Sequence, residues 1–182
     1  MAVILIEPYL RPTRFFSEKS TKSLPWRNLL FAMGILVSIP FARIALGNLV
    51  GAMAEEYFAP HTVIFAFSLW QTPLAAAQQQ VLLLPLYAAG MLLYALFIHA
   101  MLWLARGKNA SYAATLQCVC YAAPCWYLTI FPYSGVPAAL VYVSIFLAYS
   151  LRATHHTKWS RVLPVIAMGF PVLFIICSLL FP

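Results

Sequence analysis

Few residues in this chain are suited to chemistry, and they are widely spaced. The only carboxylates are Glu7, Glu18, Glu55 and Glu56, and there is no Asp. General acid–base catalysis needs positioned titratable groups, often a pair whose surroundings push their pKa values apart. No carboxylate falls inside a long apolar run, and a Ser/His/Asp set cannot form without Asp. Glu could stand in, but Glu55 and Glu56 fall on the membrane face opposite His155 and His156. The residues therefore predict no enzyme. Cys118-x-Cys120-x4-Cys125 has the elements of a soft-metal site. On a helix, however, positions 118 and 120 point about 200° apart and cannot chelate one ion. The cysteines, Cys177 among them, read as small apolar fillers, and no metal or cofactor is expected. His99 is the one cofactor candidate: it could ligate a pigment or haem iron, or sit in a proton path. The plainer reading is a hydrogen bond to a neighbouring helix.

The elements that carry these residues belong in lipid. Hydrophobic residues make up 64% of the 182 and charged residues only 8%. A soluble domain of this length carries roughly 25% charged residues. The composition predicts an all-α membrane protein with five spans. They run at about 28–53, 81–105, 112–130, 136–151 and 162–181, so residues 28–182 form one transmembrane domain. Residues 1–27 precede it as a cytoplasmic or interfacial segment, with no cleavable signal peptide evident. There, Phe15 and Phe16 among basic residues favour an interfacial amphipathic helix, aromatics in the acyl boundary, over a solvated tail. Residues 54–80 read as a loop and then an interfacial or re-entrant piece.

Charge sets the orientation. Ten of the 11 Lys and Arg lie in the N-terminal segment, the link at 106–108 or the loop at 152–161. The remaining one, Arg43, is in the first span. The positive-inside rule then places the N-terminus in the cytoplasm and the C-terminus outside. The net charge of +7 is thereby assigned to lipid headgroups and not to nucleic acid. Arg43 lies 16 residues beyond Arg27, about 24 Å along a helix. That depth lets it snorkel outward toward Glu55 and Glu56; the alternative is a functional intramembrane charge. His155 and His156, beside Trp159 in a basic loop, read as solvated headgroup neighbours.

Gly47 and Gly51 stand four residues apart on the first span, a spacing that lets helix backbones approach closely. Pro40, Pro85, Pro124, Pro164 and Pro171 interrupt every span except the fourth. Broken helices can build transport sites, but the carboxylates typical of ion coupling are missing.

The order of motifs resembles that of prokaryotic Yip-domain proteins. The resemblance begins with Ile6-x-Pro8, Arg14-Phe15-Phe16 and Trp26. It continues through His99, Gly107-Lys108, Tyr121-Ala122-x-Pro124 and Pro132-x-x-Gly135 to the stretch from His155 to Arg161. It implies a five-span core with a cytoplasmic N-terminus. In eukaryotic members it implies a role in vesicle traffic between endoplasmic reticulum and Golgi, with Rab-type GTPases as partners. This chain departs from those members in having no long hydrophilic N-terminal region and no Asp-Leu-Tyr-Gly-Pro type motif. The resemblance is thus to the prokaryotic type, which implies the cell (inner) membrane; a eukaryotic chain would sit in endoplasmic reticulum or Golgi membrane. The expected function is a non-catalytic membrane scaffold or adaptor, acting through helix contacts with itself or other membrane proteins. A small transporter or lipid-handling protein is the alternative, as is an accessory subunit of a larger complex.

Overall fold

The computed structural model describes Tyr9 and residues 14–16, 25–57, 73–107, 109–131 and 135–180. Its principal elements are α1 (Pro25–Tyr57), α2 (Pro73–Leu104), α3 (Tyr112–Tyr121), a 3-10 helix (Ala123–Ile130), α4 (Gly135–His155) and α5 (Trp159–Leu180). No strand occurs among the described residues. Among the described residues, three helical stretches are long and apolar enough to cross a membrane: Trp26–Asn48, Gln80–Leu104 and Gly135–His155. Trp159–Ile175 is a shorter apolar helix.

Two boundaries differ from expectation. The first helix does not stop near Met53 but continues through Glu55 and Glu56 to Tyr57, because Ala, Met and Glu in that turn are strong helix formers. The second begins at Pro73, and its first turns contain Gln78, Gln79 and Gln80. Proline suits that first position, since its missing N–H would be unpaired there anyway. Residues 73–80 are therefore helix continuous with the second span, while 58–72, which hold the rest of the stretch read as loop and interfacial or re-entrant piece, lie outside the described residues. Gln80 is buried and accepts a hydrogen bond from the Tyr87 hydroxyl at 3.0 Å.

The third apolar run is not one α-helix. Pro124 has no N–H to offer the Cys120 carbonyl, so the chain tightens before it. The Ala122 N–H is shared between the Cys118 and Val119 carbonyls at 3.2 and 3.1 Å. Cys125 N–H then reaches the Ala122 carbonyl at 3.0 Å, and the 3-10 pattern runs on to Phe131. Before this break, every residue from Ala114 to Cys120 is buried. A helix buried all round must sit at the centre, and α3 packs against α1, α2 and α4. Its small residues, Ala114, Thr115, Cys118 and Cys120, permit that close approach. The cysteines fill space as expected.

The 3-10 helix packs on α1 and α4. Ser38 of α1 bonds the Tyr127 hydroxyl of the 3-10 helix. α5 closes the bundle against α2 and α4.

Phe15 and Phe16 are core residues, only 4% and 1% exposed, and do not lie in the acyl boundary. Phe15 and Phe16 both pack edge-on against Tyr121, and Phe16 also against Phe146. Tyr9 stacks on Phe146 and donates to the Tyr121 carbonyl at 2.8 Å. Burial raises the Tyr9 pKa, which keeps it a donor. Lipid offers an aromatic ring no hydrophobic gain over a protein interior, so edge-to-face pairing decides where these rings go.

Candidate functional site

A hydrogen-bonded chain of buried side chains joins α2, α3 and α4 near their charged ends. His99 comes from α2, in the turn before its last one. Thr115 comes from the first turn of α3, which Ser111 caps by accepting from the Ala114 N–H. His155 is the last residue of α4. His99 Nδ1 lies 2.8 Å from Thr115 Oγ1, and Thr115 Oγ1 lies 3.0 Å from His155 Nε2. Thr115 and His155 are both fully buried. The His99 ring also packs edge-on to Tyr112.

The link between α2 and α3 fixes the direction of the bond between His155 and Thr115. The backbone N–H groups of Asn109 and Ala110 both point at His155 Nδ1, each at 3.3 Å. A nitrogen that accepts carries no proton, so His155 is the neutral tautomer with its proton on Nε2. Nε2–H therefore donates to Thr115 Oγ1, while the bond between Thr115 and His99 Nδ1 runs either way with the His99 tautomer, since a hydroxyl can accept twice as well as donate. Reversing the His155–Thr115 bond would ask both His155 nitrogens to accept, which no neutral imidazole can do. The Asn109 side-chain amide also donates to the His155 carbonyl at 2.7 Å. One turn deeper, Cys118 Sγ and Thr154 Oγ1 lie 3.3 Å apart. These contacts clasp three helices together.

His155 is thus a correction to the sequence reading: it is buried, not solvated. Leu147, Leu151 and His155 recur every four residues on the core face of α4, which extends one turn past Arg152. His156, by contrast, is exposed and adopts φ 47° just after the helix. Arg106 does the same after α2 with φ 53°. There the Gly107 N–H reaches back to the Leu102 carbonyl at 2.8 Å and Arg106 N–H to Trp103 at 3.0 Å. That is the Schellman pattern, with arginine where glycine is usual.

The other predicted residues scatter. Gly107 is buried against Thr157 and Arg161. Gly135 starts α4 where a Cβ would collide with the Leu128 carbonyl oxygen and lie 3.0 Å from Thr129 Cα. Tyr121 anchors the N-terminal aromatics, and Pro124 begins the 3-10 turn. Arg43 and Gly47 are half-buried on α1, and Gly51 is further along that helix. Lys108 and Pro132 lie outside the described residues. Among the described residues no group of three or more His, Cys, Asp or Glu is placed to hold a metal ion.

A family model described as the Yip1 domain matches residues 6–181. The chain belongs to the Yip family. Comparison with curated proteins and with solved structures gives no match. The Yip1 domain here is a helical, multi-pass membrane domain. Its motif residues are mostly joints: Gly107 and Gly135 where backbones approach, Tyr121 and Pro124 where α3 ends. Two members of the site escaped sequence reasoning: Thr115, hidden in an apolar run, and Asn109. Asn109 reads as a link residue, and only its place just before an N-cap hints that its neighbours are held in a turn.

Proposed function

We propose that this Yip-family chain is a non-catalytic scaffold or adaptor of the prokaryotic type, acting through helix contacts with itself or other membrane proteins. The observation that carries this reading is the His99–Thr115–His155 chain. The imidazoles best placed for chemistry are used to hold helices, with one tautomer fixed by two backbone amides. In lipid such bonds and close packing hold helices together, because hydrophobicity does not.

The proposal includes five spans in the cell membrane with the N-terminus in the cytoplasm. The length of the third run supports it. Ten α-helical residues and eight 3-10 residues rise about 15 Å and about 16 Å, together enough for a hydrocarbon core of about 30 Å. Reporter fusions are expected to place positions 108 and 158 in the cytoplasm and positions 56 and 182 outside. An outside signal at 158 would split the basic loops across the membrane and end the five-span reading.

The contact surface is proposed to include Gly47 and Gly51. Gly47→Leu or Gly51→Leu should cut cross-linking between subunits or to a partner several-fold while the monomer stays folded. Normal cross-linking in both variants would remove this face from the proposal.

A further inference from the structure

Among the described residues, the end of the bundle where α2 stops and α5 starts gathers cations and no acid. Arg106, Arg152, Lys158 and Arg161 are all exposed there, as is His156. No Asp or Glu follows Glu56 in the sequence. Glu55 and Glu56 sit in the last turn of α1, away from its start, and Glu7 and Glu18 lie outside the described residues. Arg14 and Arg27, also exposed, add to the positive charge of the N-terminal part.

The cations are held in place by neutral groups. An Arg161 guanidinium nitrogen donates to the Arg106 carbonyl. That contact ties the first turn of α5 to the cap of α2 and brings two arginines side by side. The Arg152 guanidinium lies 4.7 Å over the Trp159 ring, which is itself braced edge-on by Tyr149. Lys158 immediately precedes α5, whose first turn contains no acid. A helix N-terminus carries partial positive charge, so Lys158 and Arg161 meet an unfavourable field there. Like charges a few ångströms apart repel by about 1 kcal/mol even in water, and more near low-dielectric protein. The protein tolerates this arrangement with no carboxylate from α2, α3, α4 or α5 to offset it.

One buried polar group lies beneath these charges. Thr157 is 8% exposed and its hydroxyl has no hydrogen-bond partner. It lies between Gly107 and the start of α5, 3.2 Å from where a Gly107 Cβ would be. Next to the charges, Trp103, Leu104 and Leu163 are exposed apolar surface. The anionic acceptors that match these donors are phosphates, and the adjoining apolar side chains fit acyl chains.

We propose that Arg106, Arg152, Lys158 and Arg161, grouped around the start of α5, form a binding site for one anionic phospholipid headgroup. The phosphate meets the guanidinium and ammonium donors and the α5 N-terminus, while an acyl chain lies along Trp103, Leu104 and Leu163. This site holds whichever membrane face it occupies, and so does not depend on the scaffold reading.

The test uses the full-length protein in nanodiscs of phosphatidylcholine with phosphatidylglycerol, reading retained lipid by native mass spectrometry. Arg106→Asn with Arg161→Gln is the main variant, because asparagine accepts a positive φ. It should lower phosphatidylglycerol retention by roughly tenfold or more, given about 1 kcal/mol per basic residue near an anionic surface. The charge-matched pair Arg14→Gln with Arg27→Gln should lower it far less. Equal losses in the two pairs would mean a diffuse surface potential and overturn the site. Displacement of the lipid by equimolar inorganic phosphate would assign the site to a free anion and also overturn it. If the main variant gives no cooperative melt, Arg152→Gln and Lys158→Gln take its place. Each should then reduce retention several-fold, and unchanged retention in both would contradict the proposal.

Discussion

His155→Ala is expected to destabilise the protein by about 3 kcal/mol, measured as a loss of melting temperature in mild detergent. The imidazole accepts from two backbone N–H groups and donates to Thr115. Alanine removes all three bonds and empties volume at the junction of α2, α3 and α4. Each stranded polar group costs about 1 kcal/mol or more, and the cavity adds to it. His155→Asn should recover roughly half of the loss, because its amide oxygen can take the acceptor place of Nδ1. The neighbouring His156→Asn is the control. His156 is exposed with φ 47°, asparagine adopts that conformation readily, and the change should stay within about 0.5 kcal/mol. Equal effects at 155 and 156 would refute the clasp.

Gly135→Ala is expected to cost about 3 kcal/mol or to prevent folding altogether. A Cβ there runs into the Leu128 carbonyl oxygen and lies 3.0 Å from Thr129 Cα. Both are backbone atoms of the 3-10 helix, so no side chain can rotate away. α4 must separate from the element it packs on, and the α1 contacts of the 3-10 helix shift with it. Gly34→Ala and Gly90→Ala provide the contrast. Nothing lies within 4 Å of a Cβ at either, so alanine should be neutral or stabilise the helix by up to about 1 kcal/mol. The same melting assay separates the outcomes; a harmless Gly135→Ala would mean that α4 and the 3-10 helix are not in contact.

What the sequence discloses about this chain follows from how lipid acts on it. Long apolar runs can be read because hydrocarbon demands about 20 apolar residues of helix, and the membrane-length stretches Gln80–Leu104 and Gly135–His155 overlap the runs read at 81–105 and 136–151. The break in the third run was visible as Pro124, but not its form, since a kink and a 3-10 run begin from the same missing N–H. His155 was obscured by its neighbours. Arg152 and Lys158 give the loop a solvated look, and a span ended at the first charge leaves out the last turn of α4. Continuing the Leu147, Leu151 spacing by one more step would have found it. Phe15 and Phe16 were misplaced for a different reason. Periodicity within a segment reports an apolar face, but it does not say whether lipid or Tyr121 and Phe146 will cover that face. His99 was read correctly as a helix-to-helix hydrogen bond, although its partner could come only from the fold.

The central proposal is that His99 and His155 hold helices and do no proton or cofactor chemistry. His99→Asn tests it most directly. Asparagine can accept from Thr115 or donate to it where Nδ1 stands, but it can neither titrate near neutral pH nor ligate iron as imidazole does. The measurement is complementation of a deletion strain, normalised to the amount of folded protein in the membrane. The account predicts activity close to wild type for His99→Asn and a clear loss for Gly47→Leu. A His99→Asn protein that folds normally yet fails to complement, beside a fully active Gly47→Leu, would contradict it and show that the imidazole itself is needed.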